Sequence, residues 1–491
     1  MDALLSTGAL PVQSTGYDVE YSIKFEHDNA ESLSRGQAQG SQQTWTFSTW
    51  LKRTQLAENS NEPYQNIWSA GSSTSNATHV YFRGDSSYPA NKLFFYMDNG
   101  GSQYFHGSTP QSFRDTSAWY HLVWAVDTTQ GTAANRSKIY INGEQITLDS
   151  VTYPTQNAST RVMDNGGDMY IGALAGNGGY RFNGYMAETV LIDGSQLAAT
   201  EFGQFDDDSG IWKPKNVSGL SFGTRGFYLD YSDASNLGND ADGSTVFTEN
   251  YLTSADQATD TPTNNFCTLN IINASSKNGG GNNEYSEGAT KGKALQESEL
   301  ASGTMGVTQG KWYYECKAVS NSEIMAGWGV PNLWGHHTAN PGYDDYSFAV
   351  HNIGRVYYSG NAFIDLSPSV SFDTNDIVSC AIDIDNGFCY WAKNGTWMNG
   401  GNPTSGSTGT GGFDFQSASA PGNLDIADGD FLIPAFRTNY YTNSAILLNF
   451  GGYTTISISS AASDANGYGT FEYAPPTGYY ALCTKNLAEY A

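Results

Sequence analysis

The sequence predicts an all-β protein: two β-sandwich (jelly-roll) domains in tandem, joined by an irregular connector. Three observations support this prediction. The 491 residues include 32 Tyr, 24 Phe and 11 Trp but only 15% charged residues, a composition typical of aromatic-rich strands. The 55 glycines can supply the turns between those strands. The chain is also too long for a single hydrophobic core and suits two or three domains.

The first module is predicted to cover residues 19–205, after an N-terminal arm of residues 1–18 that is small, polar and without periodicity. A strand-like pattern begins at Tyr21. Residues 44–52 carry aromatic side chains on both alternating faces, as expected inside a sandwich. The Asn142-Gly143 dipeptide favours a tight hairpin, because both residues tolerate positive φ. Other strands are predicted at 80–83, 93–97, 119–126, 138–141, 144–148, 169–172 and 185–192, with helical character only at 196–205.

The connector is predicted at residues 206–310. Residues 206–265 are polar and Asp-rich, with an isolated strand candidate at 228–231, and residues 273–288 have the Asn, Gly and Ser content of a linker or long loop. The Asp-rich part is expected to wrap as an irregular connector.

The second all-β module is predicted at residues 311–491. Two dipeptides, Asn386-Gly387 and Asn394-Gly395, indicate successive tight turns. Strands are predicted at 312–316, 325–330, 347–350, 355–358, 377–384, 388–393 and 446–450.

The charge balance excludes some classes of function. The formal charge of −26 should repel phosphate backbones and anionic lipid headgroups, so neither a nucleic-acid nor a membrane partner is expected. No apolar run approaches the roughly 20 residues that cross a bilayer. The N-terminus also lacks a basic stretch followed by a hydrophobic core. A soluble protein without an export signal is expected.

The five cysteines are predicted to be buried free thiols. Their number is odd, they are widely spaced, and no Cys-x-x-Cys pair indicates zinc or redox chemistry. A two-residue turn at Asn386-Gly387 would place Cys389 opposite Ile384 and Cys380 opposite Lys393, so these two thiols are not expected to meet. The cysteines are Cys267, Cys316, Cys380, Cys389 and Cys483.

Short motifs relate both modules to known families. In the first module they are TWTFSTW at 44–50, WYHLV at 119–123, YING at 140–143, YIG at 170–172 and FNGYMAE at 182–188. Residues from Tyr21 to about Phe205 thereby resemble a laminin-G-like, concanavalin A-type jelly roll. The second module resembles a SPRY domain through GKWYYE at 310–315, GWGV at 327–330 and CAIDIDNG at 380–387.

The arrangement of the two modules carries a further resemblance. They are joined through DTPTNNF at 260–266 and followed by PTG at 476–478, an arrangement that is similar to structural proteins of aquatic and other environmental bacteriophages. The resemblance implies a non-enzymatic virion protein, of tail-fibre or capsid-decoration type, assembled in the host cytoplasm and exposed on the particle. Other virion proteins, contacted through the N-terminal arm, are the expected partners, and a homo-oligomer is expected on the particle.

Loop aromatics are the candidate binding residues, because Tyr and Trp faces can stack on sugar rings while neighbouring Asp and Asn bond hydroxyl groups. The expected ligand is a glycan or protein of the host surface; passive capsid decoration is the alternative. Candidates in the first module are Tyr88, Tyr104, His106 and Tyr180. The SPRY resemblance implies a rim that includes Trp334, His336, Tyr343, Asp344, Tyr346 and Tyr358. Core packing is the alternative for each residue.

One pair of carboxylates raises the question of catalysis. Glu26 and Glu31 have the spacing seen in glucanases built on this jelly roll, which need an acid and a nucleophile on one strand face. The residues between them include Asn29 and Ala30 rather than the β-branched residues that hold a central strand. A solvated turn is the preferred interpretation, and a glycan depolymerase is the alternative. No catalytic residue is assigned.

No cofactor is expected to be required, although calcium is considered. Asp164 and Asp168 lie in a DNGGD run, and hard oxygen ligands on glycine-permitted turns suit that ion. An Asx-rich hairpin turn is the alternative. The adjacent His336 and His337 have no third ligand nearby, so a metal is not expected there.

Overall fold

A computed structural model describes most of the chain. The described residues are 16–56, 64–84, 91–100, 102–243, 246–271, 275–276, 283–294, 298–319, 323–331, 340–367, 371–416, 424, 426, 429–439, 445–452 and 456–491. The described residues up to Thr263 form a first compact unit, and those from Asn264 onward form a second. The predicted all-β fold with two sandwiches is confirmed. No helix in the described ranges is both long and apolar enough to span a membrane.

The first unit is a sandwich of two antiparallel sheets. Sheet A has the strand order β10-β9-β8-β3-β13-β1-β18, with β16 beside β13, and sheet B has the order β11-β7-β6-β5-β4-β12-β2-β17. Strands β14 and β15 form a separate hairpin. The strands are β1 (Ser22–Phe25), β2 (Ser32–Gly36), β3 (Thr44–Arg53), β4 (Tyr64–Ser73), β5 (Asn76–Arg83), β6 (Lys92–Asn99), β7 (Ser102–Ser108), β8 (Trp119–Asp127), β9 (Ser137–Ile141), β10 (Glu144–Ile146), β11 (Asp149–Thr152), β12 (Asp168–Ile171), β13 (Gly184–Asp193), β14 (Gly203–Phe205), β15 (Trp212–Pro214), β16 (Phe227–Leu229), β17 (Thr248–Asn250) and β18 (Gln257–Ala258).

A tryptophan cluster lies between sheets A and B. Trp45, Trp68 and Trp124 are fully buried, with ring centroids 5.2–6.2 Å apart. Two of the indole N–H groups donate to hydroxyls, Trp45 to Thr160 at 3.0 Å and Trp124 to Ser137 at 2.9 Å. Such bonds are needed because a buried donor without an acceptor costs about 1–3 kcal/mol.

Sheet A is buried on both faces, which accounts for the aromatic residues on both faces of β3. Trp50 and Val190 point away from the main core into a second apolar cluster, where they meet Phe202, Trp212 and Phe222 from the chain that follows β13. The prediction of a helix at 196–205 is wrong. This segment forms one 3₁₀ turn, at Ala199–Glu201, and then strand β14, which begins at Gly203.

Residues 206–263, assigned to the connector from sequence, contribute strands to the first unit. Strand β16 pairs with β13 in sheet A, β17 pairs with β2 in sheet B, and β18 pairs with β1. Two buried ion pairs hold the end of this segment: Lys24 Nζ lies 2.8 Å from Asp256 Oδ1, and Lys52 Nζ lies 2.7 Å from Asp260 Oδ2.

The second unit is also a two-sheet sandwich. Sheet C has the order β19-β22-β32-β24-β25-β26-β27, and sheet D has the order β20-β21-β33-β23-β28-β29-β30, with β31 beside β29 and β36 parallel to β23; β34 and β35 pair separately. The elements are β19 (Ser275–Ser276), β20 (Asn283–Ser286), β21 (Lys291–Ala294), β22 (Ser298–Ser302), β23 (Lys311–Ala318), β24 (Met325–Gly329), β25 (Ser347–His351), β26 (Arg355–Tyr358), β27 (Ala362–Asp365), β28 (Ile377–Asp383), β29 (Phe388–Lys393), β30 (Thr396–Trp397), β31 (Phe413–Asp414), β32 (Ile433–Asn439), β33 (Ala445–Asn449), β34 (Ala462–Ser463), β35 (Thr470–Phe471), β36 (Tyr480–Ala481) and helix α1 (Thr484–Tyr490).

The cysteine register differs from the sequence prediction. All five cysteines are buried, but Cys380 and Cys389 do meet, with their sulfurs 3.7 Å apart. Strands β28 and β29 pair Asp383 with Phe388, so the loop has four residues, 384–387, instead of two. The Asp383 carboxylate accepts hydrogen bonds from the backbone N–H and the side-chain amide of Asn386, which stabilises the wider loop.

The turn from Glu26 to Glu31 is solvated only at its tip, where Asp28 and Asn29 are exposed. The side chains of Glu26 and Glu31 are both buried. One Glu31 oxygen accepts the backbone N–H of Glu26 at 2.7 Å, and the other lies 3.7 Å from Lys24 Nζ. Burial raises the pKa of Glu31 to about 7; the positive charge of Lys24 opposes this shift, and the negative charge of Asp256 adds to it.

The titration of Glu31 predicts a pH dependence of stability. Its folded-state pKa of about 7 lies above the ordinary 4.5. Between these two pH values the folded state therefore holds a proton that the unfolded state has lost. The free energy of unfolding should thus fall as pH rises through this range. Glu31→Gln should flatten that slope in denaturant unfolding measured at several pH values. Asp28→Asn, at a side chain that is 72% exposed, is the control; an unchanged slope in Glu31→Gln would contradict the assignment.

Candidate functional site

The outer face of sheet B carries a continuous group of aromatic rings. Side chains alternate along β5 and β6, so Val80 and Phe95 enter the core while their neighbours point to the opposite face. We call this group the aromatic face. It consists of Tyr64 on β4, His79 and Tyr81 on β5, Phe94 and Tyr96 on β6, His106 on β7 and Tyr180 in the loop after β12.

The strand register explains why these rings meet. His79 pairs with Tyr96, and Tyr96 pairs with His106, across three adjacent strands. The rings are nearly parallel: His79 to Tyr81 at 5.1 Å and 16°, Tyr81 to Tyr96 at 5.7 Å and 20°, and Tyr96 to His106 at 6.2 Å and 24°. Cross-strand aromatic pairs of this kind stabilise a sheet as well as forming a surface.

Tyr180 projects at one end of the aromatic face. Its ring meets Tyr64 edge-on, with centroids 5.1 Å apart, and it remains 42% exposed. Its backbone has φ +49°, a left-handed conformation that is uncommon for a bulky residue and costs of order 1–3 kcal/mol. The Tyr180 carbonyl accepts hydrogen bonds from both the backbone N–H and the side-chain amide of Asn66, which holds the residue in this conformation.

The polar groups on the aromatic face are mostly uncharged. Burial lowers the pKa of His79 to about 4, so its imidazole is neutral at neutral pH and offers one donor and one acceptor. Its Nδ1 lies 3.2 Å from Asn66 Oδ1. His106 Nε2 lies 3.5 Å from the hydroxyl of Thr152. The guanidinium of Arg83 lies over the rings of Tyr64 and Phe94.

The first-module candidates from sequence fall in different places. His106 and Tyr180 lie at opposite ends of the aromatic face, and Tyr88 lies outside the described residues. Tyr104 packs against the core, and its hydroxyl donates to the Ser159 carbonyl at 3.2 Å. The rings on β5 and β6 were not among the predicted binding residues, which were sought in loops, although aromatic side chains at the alternate positions 79, 81, 94 and 96 were a readable signal.

The described candidates in the second unit have different surroundings. Trp334 and His336 lie outside the described residues. Tyr358 is buried and packs 5.5 Å from Phe413, the core packing considered as its alternative. Asp344 Oδ1 accepts the Tyr346 N–H and the Ser347 hydroxyl, so this carboxylate shapes its own loop. Tyr343 lies against Tyr357, with centroids 5.4 Å apart.

The second unit contains an open groove that the sequence did not indicate. Its volume is about 470 Å³. On one wall the rings of Tyr480 and Tyr490 are stacked 3.8 Å apart, and on another Lys311 pairs with Asp383 at 2.9 Å. The lining residues are Gln309, Gly310, Lys311, Asp385, Gly478, Tyr480, Glu489 and Tyr490.

The structure gives no support to calcium at Asp164 and Asp168. One Asp164 oxygen lies 2.7 Å from Arg161 Nη1 and the other accepts the side-chain amide of Gln42 at 2.9 Å. Its backbone carbonyl accepts the Gly167 N–H, as in the alternative turn interpretation. Within the described ranges, no group of three or more His, Cys, Asp or Glu side chains is arranged to hold a metal ion.

Glu26 and Glu31 do not belong to the aromatic face. They lie at the ends of the turn between β1 of sheet A and β2 of sheet B, and Glu31 is engaged by Lys24 and by backbone. A glycosidase of this type needs two carboxylates flanking one bond in a cleft. The described surroundings of Glu31 consist instead of buried structural contacts.

Comparisons with known proteins agree with the two-module organisation. Residues 26–200 match the family model of the concanavalin A-like lectin/glucanases superfamily, and residues 311–423 match that of the SPRY domain. A comparison with curated proteins gave no match.

Similar solved structures include the SPRY domain of human HERC1, with 15% identity and a TM-score of 0.26, covering 37% of this chain and 96% of that chain. Another is a heptameric SAP-like pentraxin from Limulus polyphemus, with 16% identity and a TM-score of 0.26, covering 37% and 80%. Scores this low carry no functional argument. The family matches show that the chain contains a laminin-G-like, concanavalin A-like domain followed by a SPRY domain.

Proposed function

We propose that this protein is a non-enzymatic binding protein that takes a saccharide on the aromatic face of its first unit. The observation that carries the proposal is Tyr180, which is 42% exposed and held in a left-handed conformation at the end of that face. Strained residues persist where the surrounding structure over-determines them, and they cluster at functional sites. A tyrosine held in this way offers a ring to a ligand at little cost in side-chain entropy.

The chemistry of the aromatic face suits a hydroxyl-rich ligand. Aromatic rings provide flat apolar area for the C–H faces of a sugar, and the neutral imidazole of His79 can exchange hydrogen bonds with its hydroxyl groups. The match of residues 26–200 to a superfamily that includes lectins supports the same class of ligand. A polyanionic nucleic acid is disfavoured by the net charge of −26.

The central test is a Tyr180→Ala substitution. Removing this ring should weaken saccharide binding about tenfold, equivalent to about 1.4 kcal/mol, on a glycan array followed by calorimetry with the best saccharide. Tyr251→Ala is the matched control, because Tyr251 is a 75% exposed tyrosine of the same unit that also has positive φ, +58°. Its binding should equal that of the wild type.

Two results would contradict the proposal. One is that the full chain binds no saccharide on a broad array. The other is that Tyr180→Ala and Tyr251→Ala have the same affinity as the wild type, which would place any saccharide elsewhere in the molecule.

We further propose that the protein is exposed on a bacteriophage particle, where the saccharide would belong to the host surface. This proposal rests on the resemblance of the two-module arrangement to phage structural proteins. The docking arm proposed at residues 1–18 lies largely outside the described residues. A capsid-decoration role without receptor binding is the competing interpretation.

Mass spectrometry of gradient-purified particles tests the location. The chain should be present at a fixed copy number per particle, and its absence would contradict the proposal. If the protein is present, excess soluble chain should block adsorption of the phage to its host. Failure to block adsorption would favour decoration of the particle over attachment.

A further inference from the structure

A small cavity in the first unit brings two arginines together. It has a volume of about 50 Å³ and lies where β2 meets the loop before β16. Arg35 and Arg225 are among the residues that line it, and Met163 and Met169 give it an apolar wall.

Neighbouring groups hold each guanidinium in place but use little of its hydrogen-bonding capacity. Arg35 lies over the rings of Phe227 and Phe247, at 4.7 and 4.8 Å, and its Nη2 donates to the Arg225 carbonyl at 2.8 Å. Arg225 Nε donates to the Gln39 carbonyl at 3.4 Å. A guanidinium has five N–H donors, so both side chains retain donors for a ligand in the cavity.

The two positive charges are only partly compensated: the carboxylate of Asp240 acts electrostatically on Arg35, but it forms no ion pair with it in the described part of the chain. Neither arginine forms an ion pair there, although acidic residues outnumber basic ones by 49 to 23. The nearby Asp193 carboxylate accepts the backbone N–H groups of Ser41 and Arg225 instead. Burial lowers the pKa of Arg35 to about 10; the charge of Asp240 opposes this shift, and the charge of Arg225 adds to it. An anion between the two guanidinium groups would relieve this repulsion.

We propose that this cavity is a binding site for the carboxylate group of a small ligand or of a larger ligand's acidic substituent. Two guanidinium groups match the planar, bidentate geometry of a carboxylate. The methionine wall suits the carbon that bears the carboxylate, whereas sulfate and phosphate present oxygen on every side. A cavity of about 50 Å³ has room for such a head group. The site is separate from the aromatic face and does not rest on the proposed function.

Trifluoroacetate is a suitable probe, because ¹⁹F line broadening reports its binding to the full chain. The test variant is Arg225→Gln, at an exposed residue whose side chain makes one hydrogen bond in the described structure. The control is Arg114→Gln, which removes the same charge from another exposed position of the same unit. Near-ultraviolet circular dichroism and melting temperature establish that both variants fold. Arg225→Lys keeps the charge but loses the planar fork.

The wild type and Arg114→Gln should show the same saturable broadening, and Arg225→Gln should bind at least tenfold more weakly. Arg225→Lys should lie between them, and acetate should displace the probe at lower concentration than sulfate. Absence of saturable broadening, or equal affinity in Arg225→Gln and Arg114→Gln, would overturn the site. Equal displacement by sulfate would overturn its assignment to carboxylates.

Discussion

The buried ion pair between Lys52 and Asp260 is the contact on which the first unit most depends. Its two atoms are 2.7 Å apart, and both side chains are almost inaccessible to solvent. The second Asp260 oxygen accepts the indole N–H of Trp119 at 3.0 Å. Removing one partner of such a pair leaves an uncompensated charge and costs about 3–5 kcal/mol. The pair therefore fixes the end of the Asp-rich segment against sheet A.

The chain after β13 covers the outer face of sheet A, where Phe202, Trp212 and Phe222 pack on the strands. Sheet A is thus buried on both faces, whereas the aromatic face of sheet B is partly open: Tyr81 and Phe94 are buried, and Tyr180 is 42% exposed. The proposed saccharide site and the carboxylate cavity both lie in this unit, at separate places.

The sequence predicted the strands well because their local patterns carry the information. At Asn142-Gly143 and Asn394-Gly395 both residues have positive φ, and each dipeptide forms the predicted two-residue turn. At Asn386-Gly387 the same dipeptide does not form a two-residue turn. Of its two residues Gly387 alone has positive φ, and hydrogen bonds to Asp383 widen the loop. Turn chemistry depends on neighbouring side chains that the dipeptide does not reveal.

The site was only partly predictable from sequence. Exposed loop aromatics such as Tyr180 could be recognised one at a time, but the aromatic face arises from cross-strand pairs such as Tyr96 with His106, and these require the register. The packing of the Asp-rich segment on the first unit could not be predicted for a similar reason, because Lys52 and Asp260 are separated by 208 residues. Contacts over such distances leave no local pattern.

The most direct test of this account is a crystal structure of the full chain with the saccharide that it binds best. The account predicts a sugar ring against the exposed face of Tyr180, with its hydroxyl groups directed toward the polar groups of the aromatic face. A saccharide bound instead in the groove beside Tyr480 and Tyr490, with the aromatic face unoccupied, would contradict it.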